Sequence, residues 1–218
     1  MIHSDYTKQV EQLFSNVPYE IGQIETPWAR ELINFLLRTF SASRPAIVDL
    51  GCGAGALDNY LTTIGCEVIG IDLTSIVCKA KIKYPALKML PFDLNYGIPI
   101  DDNVVDIAYS AHAIGYLKDP NFFISEIRRV TKPNSHVILA TPNSTSPLEI
   151  MRDIKKHLRH LEGVRGLSQR SKFSFRSLKK LLALHHFEIV EHYYYSNRQN
   201  IIQSFGETML VIGTKVSE

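Results

Sequence analysis

The chain has little cysteine. Among its 218 residues there are three, Cys52, Cys66 and Cys78. They fall at no metal-ligand spacing, and an odd number leaves one over in any disulfide scheme, so the expected home is a reducing cytoplasm. Long apolar runs are missing too. None approaches the roughly 20 residues of a membrane helix, so no transmembrane segment is expected. The first residues, MIHSDYTKQVEQLF, have neither the apolar core of a signal peptide nor the Arg-rich character of a transit peptide. No internal repeat, low-complexity tract or linker divides the sequence, and one domain over 1–218 is expected. At 45% hydrophobic and 21% charged residues the composition is that of an ordinary globular protein.

Net charge is only +2, but it is uneven. Between Met151 and Lys180 ten Lys/Arg stand against Asp153 and Glu162. Such a segment either presents a solvated face or attracts an anion: a phosphorylated or carboxylated small molecule, an RNA, or a membrane surface. No stacking platform of aromatic residues accompanies these charges, which disfavours nucleic acid.

Patterning predicts the layout. Thr26 and Pro27 read as an N-cap and first-turn proline. The helix they open carries Trp28, Leu32, Ile33, Leu36, Leu37 and Phe40 on its apolar face and ends near Ser41. Strands are expected at 47–50, 67–71, 87–93, 104–110 and 136–141. Helices are expected between them, one of them capped by Thr74 and one opened by Asp119-Pro120. This alternation implies a parallel sheet covered on both faces. After Pro147 an amphipathic stretch follows, with Leu148, Met151, Ile154, Leu158 and Leu161 on one face. Ser174 then caps a helix to Leu184, and strands at 187–195 and 209–214 form an antiparallel pair.

Within AIVDLGCGAGALDNYL (46–61), Gly51, Gly53 and Gly55 follow a strand and precede a helix. A loop of this kind turns backbone N–H groups and a positive helix end toward a ligand. By itself it fits a dinucleotide site, a methyl-donor site or a bare turn. Three acids sharpen the reading. Asp72 ends the second strand, where a carboxylate accepts both ribose hydroxyls. Asp93 ends the third, within reach of an adenine edge. Asp49 lies inside the first strand, where a buried carboxylate needs a partner. It would repel a pyrophosphate and suits an ammonium group. S-adenosylmethionine, with an adenine, a ribose and an amino-acid tail, meets all three.

The segments IVDLGCGAG (47–55), VIGIDLT (68–74), FDLN (92–95), VVDIAYSAHAIGYLKDP (104–120) and EIRRVTKPNSHVILATPN (126–143) resemble the successive motifs of class I S-adenosylmethionine-dependent methyltransferases. The group resembled is the one that includes ubiquinone-biosynthesis and sugar-modifying enzymes. The resemblance implies a Rossmann-like, seven-stranded, mostly parallel sheet with helices on both faces and an antiparallel last strand. It implies a cofactor site in which Gly51, Cys52, Gly53 and Gly55 line the methionine end and Asp49 organises it. Asp72 would hold the ribose and Leu73 flank the adenine. Asp93 and Leu94 would meet the adenine edge, and Ser110, Ala111 and His112 would lie under the sulfonium.

The same resemblance divides the chain into a helical lid (1–44), a cofactor-binding core (45–145), a basic helical insertion over the acceptor pocket (146–172) and a last helix with its strand pair (173–218). Tyr6, Tyr19, Trp28 and Arg30 are lid candidates, with core packing the alternative for Trp28. Where relatives with the fullest fourth-strand motif carry Glu-His, this chain has Gly115-Tyr116, and no metal is expected. His112 either deprotonates an acceptor hydroxyl or only lines the pocket. Tyr116 either orients the acceptor or packs. The chain lacks both the Asn/Asp-Pro-Pro-aromatic run of base N-methylation and a Pro-Cys nucleophile for C5 methylation. The expected function is methyl transfer to a small molecule, possibly anionic, at oxygen. The alternatives are an RNA or protein methyltransferase using the basic segment, and a catalytically silent partner subunit with the same fold.

Overall fold

The runs Ala46–Leu50 (β1) and Val105–Ala111 (β4) are apolar on consecutive residues and nearly all buried, as a strand covered on both faces must be. They pair side by side in the middle of a seven-stranded sheet. The computed structural model describes residues 26–40, 43–161, 169–196 and 206–216 together with Lys8, with only the backbone for 156–161. The other strands are Glu67–Asp72 (β2), Met89–Pro91 (β3), Thr131–Pro142 (β5), Phe187–Tyr195 (β6) and Thr208–Lys215 (β7). Their order is β3-β2-β1-β4-β5-β7-β6. β7 runs antiparallel to both β5 and β6, and the remaining pairs are parallel.

Helices cover both faces. Pro27–Thr39 (α1) and Ala56–Thr63 (α2) pack Leu32, Phe35, Leu36, Leu57 and Leu61 on Ile107, Ile138 and Leu210. Thr74–Lys83 (α3) sets Val77 and Ala80 against Leu87 and Met89. On the other face, Pro120–Val130 (α4) and Phe175–Leu184 (α6) bury Phe123, Ile127, Leu178 and Leu182 against Val48, Leu139 and Val211. Pro147–Leu161 (α5) follows β5 at the carboxyl edge. Helix starts follow side-chain capping: Thr26 accepts from Ala29 N, Asp119 from Asn121 N and Phe122 N, and Ser174 forms a capping box with Ser177.

The structure corrects several sequence expectations. Leu73, not Thr74, caps α3, and it does so without a side-chain bond. β3 is three residues long rather than seven, because Asp93 folds back to cap the turn Leu94–Tyr96. β5 starts five residues earlier than expected, directly off α4. On α1 it is Phe35 that is buried, while Leu37 is 61% exposed. The apolar residues of α5 do not all face inward: Met151 is 52% and Ile154 55% exposed, whereas Glu149 is buried. Arg152 pairs with Glu149 along the same helix and reaches across to Glu207, so this charged face is the one that meets the rest of the fold. Leu158 and Leu161 have side chains outside the described residues, as have Tyr6 and Tyr19 altogether. Among the described residues, no helix is long and apolar enough to cross a membrane.

Candidate active site at the carboxyl edge of the sheet

Strand order brings the ends of β1, β2 and β4 together, and the β1 turn is built for close approach. Gly51, Gly53 and Gly55 have φ of +90°, +56° and +75°, values costly for any residue with a side chain. A Cβ on Gly51 would lie 2.7 Å from the Cβ of Ala113, in the turn after β4. Four of the loop's N–H groups are bonded internally. Gly51 N and Cys52 N donate to Ile71 O at 2.8 and 3.3 Å, Gly53 N donates to Asp72 Oδ2 at 2.8 Å, and Gly55 N donates to Cys52 O at 3.2 Å. These four N–H groups therefore hold the turn in shape rather than face a ligand.

Asp72 stands at the end of β2, half-buried, and also accepts from Leu73 N at 2.7 Å. Its carboxylate thus stands beside the glycine turn. Leu73 is half-buried next to it. Asp93 is 7% exposed, and its Oδ1 accepts from Asn95 N and Nδ2 at 2.9 and 2.8 Å. Two of the residues expected around the cofactor have side chains in the core: Cys52 packs with Val77 and Met89, and Leu94 with Val48 and Ile71. Ser110 is buried and ties β4 to β1 by donating to Leu50 O at 2.8 Å.

Asp49 is paired across the sheet with Gly70 of β2 and Tyr109 of β4. Its neighbour in space is Asp58 of α2, which sequence reading did not single out. Asp58 is 1% exposed, and a Cβ on Gly70 would lie 2.3 Å from its Oδ2. The carboxylate occupies the space that a side chain at position 70 would fill. A glycine in mid-strand was the available signal, since it marks such an approach. Burial and mutual repulsion raise Asp49 well above the usual carboxylate range, and burial pushes Asp58 up to about 7. Both shifts favour the neutral carboxylic acid. The Asp58 oxygens and the Tyr109 hydroxyl have no hydrogen-bond partner among the described residues. Buried acceptors of this kind behind the glycine turn suit a cationic group in front of it.

His112 follows β4 in a left-handed conformation, φ +60°, a strained geometry for histidine. Its N–H donates to Ala140 O at 2.7 Å, and its ring meets Trp28 of α1 edge to face with centroids 4.8 Å apart. Burial pushes the imidazole down to about 4, so it is neutral near pH 7. Trp28 and His112 line a cavity of about 220 Å³ together with Pro142, Glu149, Arg152, Tyr195, Glu207 and Thr208. The cavity opens over the ends of β4, β5 and β7, beside the glycine turn rather than in it. Arg152 is the basic segment's only described residue in its lining, and it is ion-paired to Glu149 and to Glu207, the latter at 2.6 Å. Arg30 is exposed on α1. Gly115 packs under Gln169, whose side chain a Cβ there would meet at 2.7 Å, and Gly115 O accepts from Arg170 N and Ser171 N at 2.8 and 3.0 Å. The end of the insertion docks on this glycine. Tyr116 is half-buried in the same turn.

Comparison with known proteins agrees with this geometry. Residues 48–139 match the family model described as a methyltransferase domain. The malonyl-[acyl-carrier protein] O-methyltransferase of Pseudescherichia vulneris is 28% identical over 123 residues, covering 56% of this chain and 49% of that protein. The ubiquinone biosynthesis O-methyltransferase of Maricaulis maris is 27% identical over 105 residues, covering 46% and 41%. The chain thus spans about half the length of the curated relatives it matches, or less. The crystal structure of an S-adenosylmethionine-dependent methyltransferase from Aquifex aeolicus superposes with a TM-score of 0.64 at 19% identity, covering 98% of this chain and 100% of that one. At that identity the likeness is one of fold.

Proposed function

We propose that the chain is a class I S-adenosylmethionine-dependent methyltransferase that methylates a small-molecule acceptor at oxygen, a reading supported by its fold and by the match of residues 48–139 to a methyltransferase domain. One observation carries the donor half of this reading. The left-handed glycines and the Asp72 carboxylate, bonded to each other through Gly53 N, stand at the adjoining ends of β1 and β2 beside the His112 cavity. When bound, S-adenosylmethionine supplies an electrophilic methyl group on a sulfonium. Gly51, Gly53 and Gly55 admit its amino-acid end without a Cβ in the way, and Asp49 with Asp58 and Tyr109 forms the polar floor behind them. Asp72 accepts the ribose hydroxyls, Leu73 packs on the adenine, and Asp93 meets its edge. The strand end Ser110–His112 separates this half from the cavity.

In the cavity, His112 is the residue that can take the acceptor's proton. A neutral imidazole of low basicity serves there because a hydroxyl grows acidic only as its oxygen forms the new bond. Much of the remaining acceleration is placement of the acceptor. Transfer to oxygen is supported by the O-methyltransferase names of the relatives above. The cavity holds about seven waters' volume, which favours a small acceptor over a nucleic-acid or peptide segment.

The test has two readings. Calorimetry with S-adenosylhomocysteine should show binding to the wild type and at least a tenfold loss in Asp72→Ala. Equal binding, or none by the wild type, removes the cofactor assignment. Labelled S-adenosylmethionine with cell extract, followed by mass spectrometry, should place the label in a methyl ether or ester of low molecular mass. Label in RNA or protein would overturn the acceptor half.

A further inference from the structure

Helix α5 has its polarity reversed. The residues that α1, α4 and α6 bury are all apolar, as expected of helices laid on a core. In α5 the charged Glu149 is buried, while Ile150 is 47% exposed and Met151 and Ile154 are more than half exposed. Positions 150 and 154, and 151 and 154, are one turn apart, so the three outward side chains are neighbours on one face. The sequence continues the spacing with leucines at 158 and 161. Contiguous aliphatic surface of this kind marks a contact that the folded chain does not itself satisfy.

The orientation is set from the polar side. Arg152 pairs with Glu207 ahead of β7 at 2.6 Å, and Asp153 pairs with Lys172 ahead of α6. Turning the apolar side inward would break both pairs. The charge around the exposed face has one sign. Residues 147–172 carry seven Lys/Arg against three Asp/Glu, and counting Glu207 as well leaves cations in excess. Lys155, next to Ile154, is itself exposed. The matching surface must therefore be anionic. An anionic bilayer offers negative charge and apolar depth over one area, without a shaped groove. A strongly amphipathic helix that is too short and too charged to cross a membrane is the form that lies in such an interface. Its aliphatic side chains enter the acyl boundary, and its cations meet lipid phosphates.

We propose that α5 docks the protein on an anionic lipid surface, with Ile150, Met151 and Ile154 entering the interface and the positive charge of 147–172 drawing it to the phosphates. Glu149 and Arg152, on the opposite side of the helix, line the His112 cavity. Attachment and cavity lining thus use different faces of one helix, and docking leaves the cavity wall in place.

Vesicle flotation with the full chain tests it. One set of vesicles is equimolar phosphatidylcholine and phosphatidylglycerol, and the other is phosphatidylcholine alone. The wild type should float with the anionic set and bind the neutral set at least about tenfold more weakly. Met151→Ser combined with Ile154→Ser should weaken binding to the anionic set by about tenfold or more. Lys155→Glu should weaken it by about fivefold or more. All three side chains are exposed, so thermal unfolding without lipid should match the wild type, which separates lost docking from lost fold. Ile150→Ser should act in the same direction, so the result does not depend on one variant folding. Absence of wild-type binding, equal binding to both sets, or binding that the serine variants retain overturns the proposal. So does lipid-free self-association that the serine variants abolish, since a second copy would then cover the face.

Discussion

Gly51 and Ala113 meet so closely that a Cβ on the first would lie 2.7 Å from the Cβ of the second. One belongs to the turn after β1 and the other to the turn after β4, so these two loops are in mutual contact. Gly51→Ala adds a methyl group at φ +90° and against an atom bonded directly to backbone. It is expected to cost about 1–3 kcal/mol of stability and to weaken S-adenosylhomocysteine binding by at least tenfold. Chemical denaturation and calorimetry on the same preparation check both.

Gly115→Ala provides the contrast. Its added methyl meets the side chain of Gln169, a flexible group that can swing aside. The expected loss is below about 1 kcal/mol, with cofactor affinity unchanged. A loss as large as that of Gly51→Ala would show that the strap at Gln169–Ser171 is rigid.

Asp58 gives the protein a pH dependence of defined sign. Its ordinary value is 3.8, and burial raises it in the folded state to about 7. Between those values the folded chain holds a proton that the unfolded chain has released, so stability falls as pH rises from about 4 to 7, and this contribution is flat above. The slope approaches about 1.4 kcal/mol per pH unit for one group, with Asp49, raised by the same burial, adding to it. Asp72, Cys52 and Tyr109 face the same cluster. Urea denaturation of ligand-free protein at pH 5, 6 and 7 should show the decline, and Asp58→Asn should reduce the slope and raise stability at pH 7.

His112 acts in the other direction. Burial lowers it from 6.5 to about 4, so its contribution to stability is present above about 6.5 and is lost as pH falls through 4. If it takes the acceptor's proton, kcat/KM should have an acid limb near pH 4 and none near 6.5. His112→Gln should then lower kcat by about 10²-fold or more. A profile inflecting near 6.5 would contradict the buried, neutral imidazole.

Lys215 closes the amino edge of the sheet. Its Nζ donates to Asn103 Oδ1, Arg128 O and Thr131 O at 3.0, 2.8 and 2.6 Å, and the residue is 8% exposed. Lys215→Met keeps the stem but abandons the carbonyls at the end of α4. A loss of about 2–3 kcal/mol in denaturation is expected.

The sheet was legible because it rests on local signals. Strand runs such as AIVDL carry their burial in their composition, and periodicity places Asp72 at the end of β2, whereas Asp93 lies two residues past β3 as the cap of a turn. Asp58 was not legible, since its position in the first turn of α2 looks like ordinary helix chemistry until Gly70 is seen to make room for it. The face of α5 was misread for a similar reason. Its apolar spacing is regular, but Arg152 and two partners, one of them 55 residues away, decide which side turns inward. The cavity is the extreme case. Its walls come from α1, β4, β5, α5, β6 and β7, and no window of sequence contains them together.

That distribution separates two tasks. Of the eight residues around the cavity, His112 alone falls within 48–139, the stretch matching the methyltransferase domain. On the proposed reading, donor recognition is carried by one continuous block of chain, and acceptor recognition by scattered positions before and after it. A substitution at Trp28, Glu149 or Glu207 would then change what is modified and leave the donor site as it is.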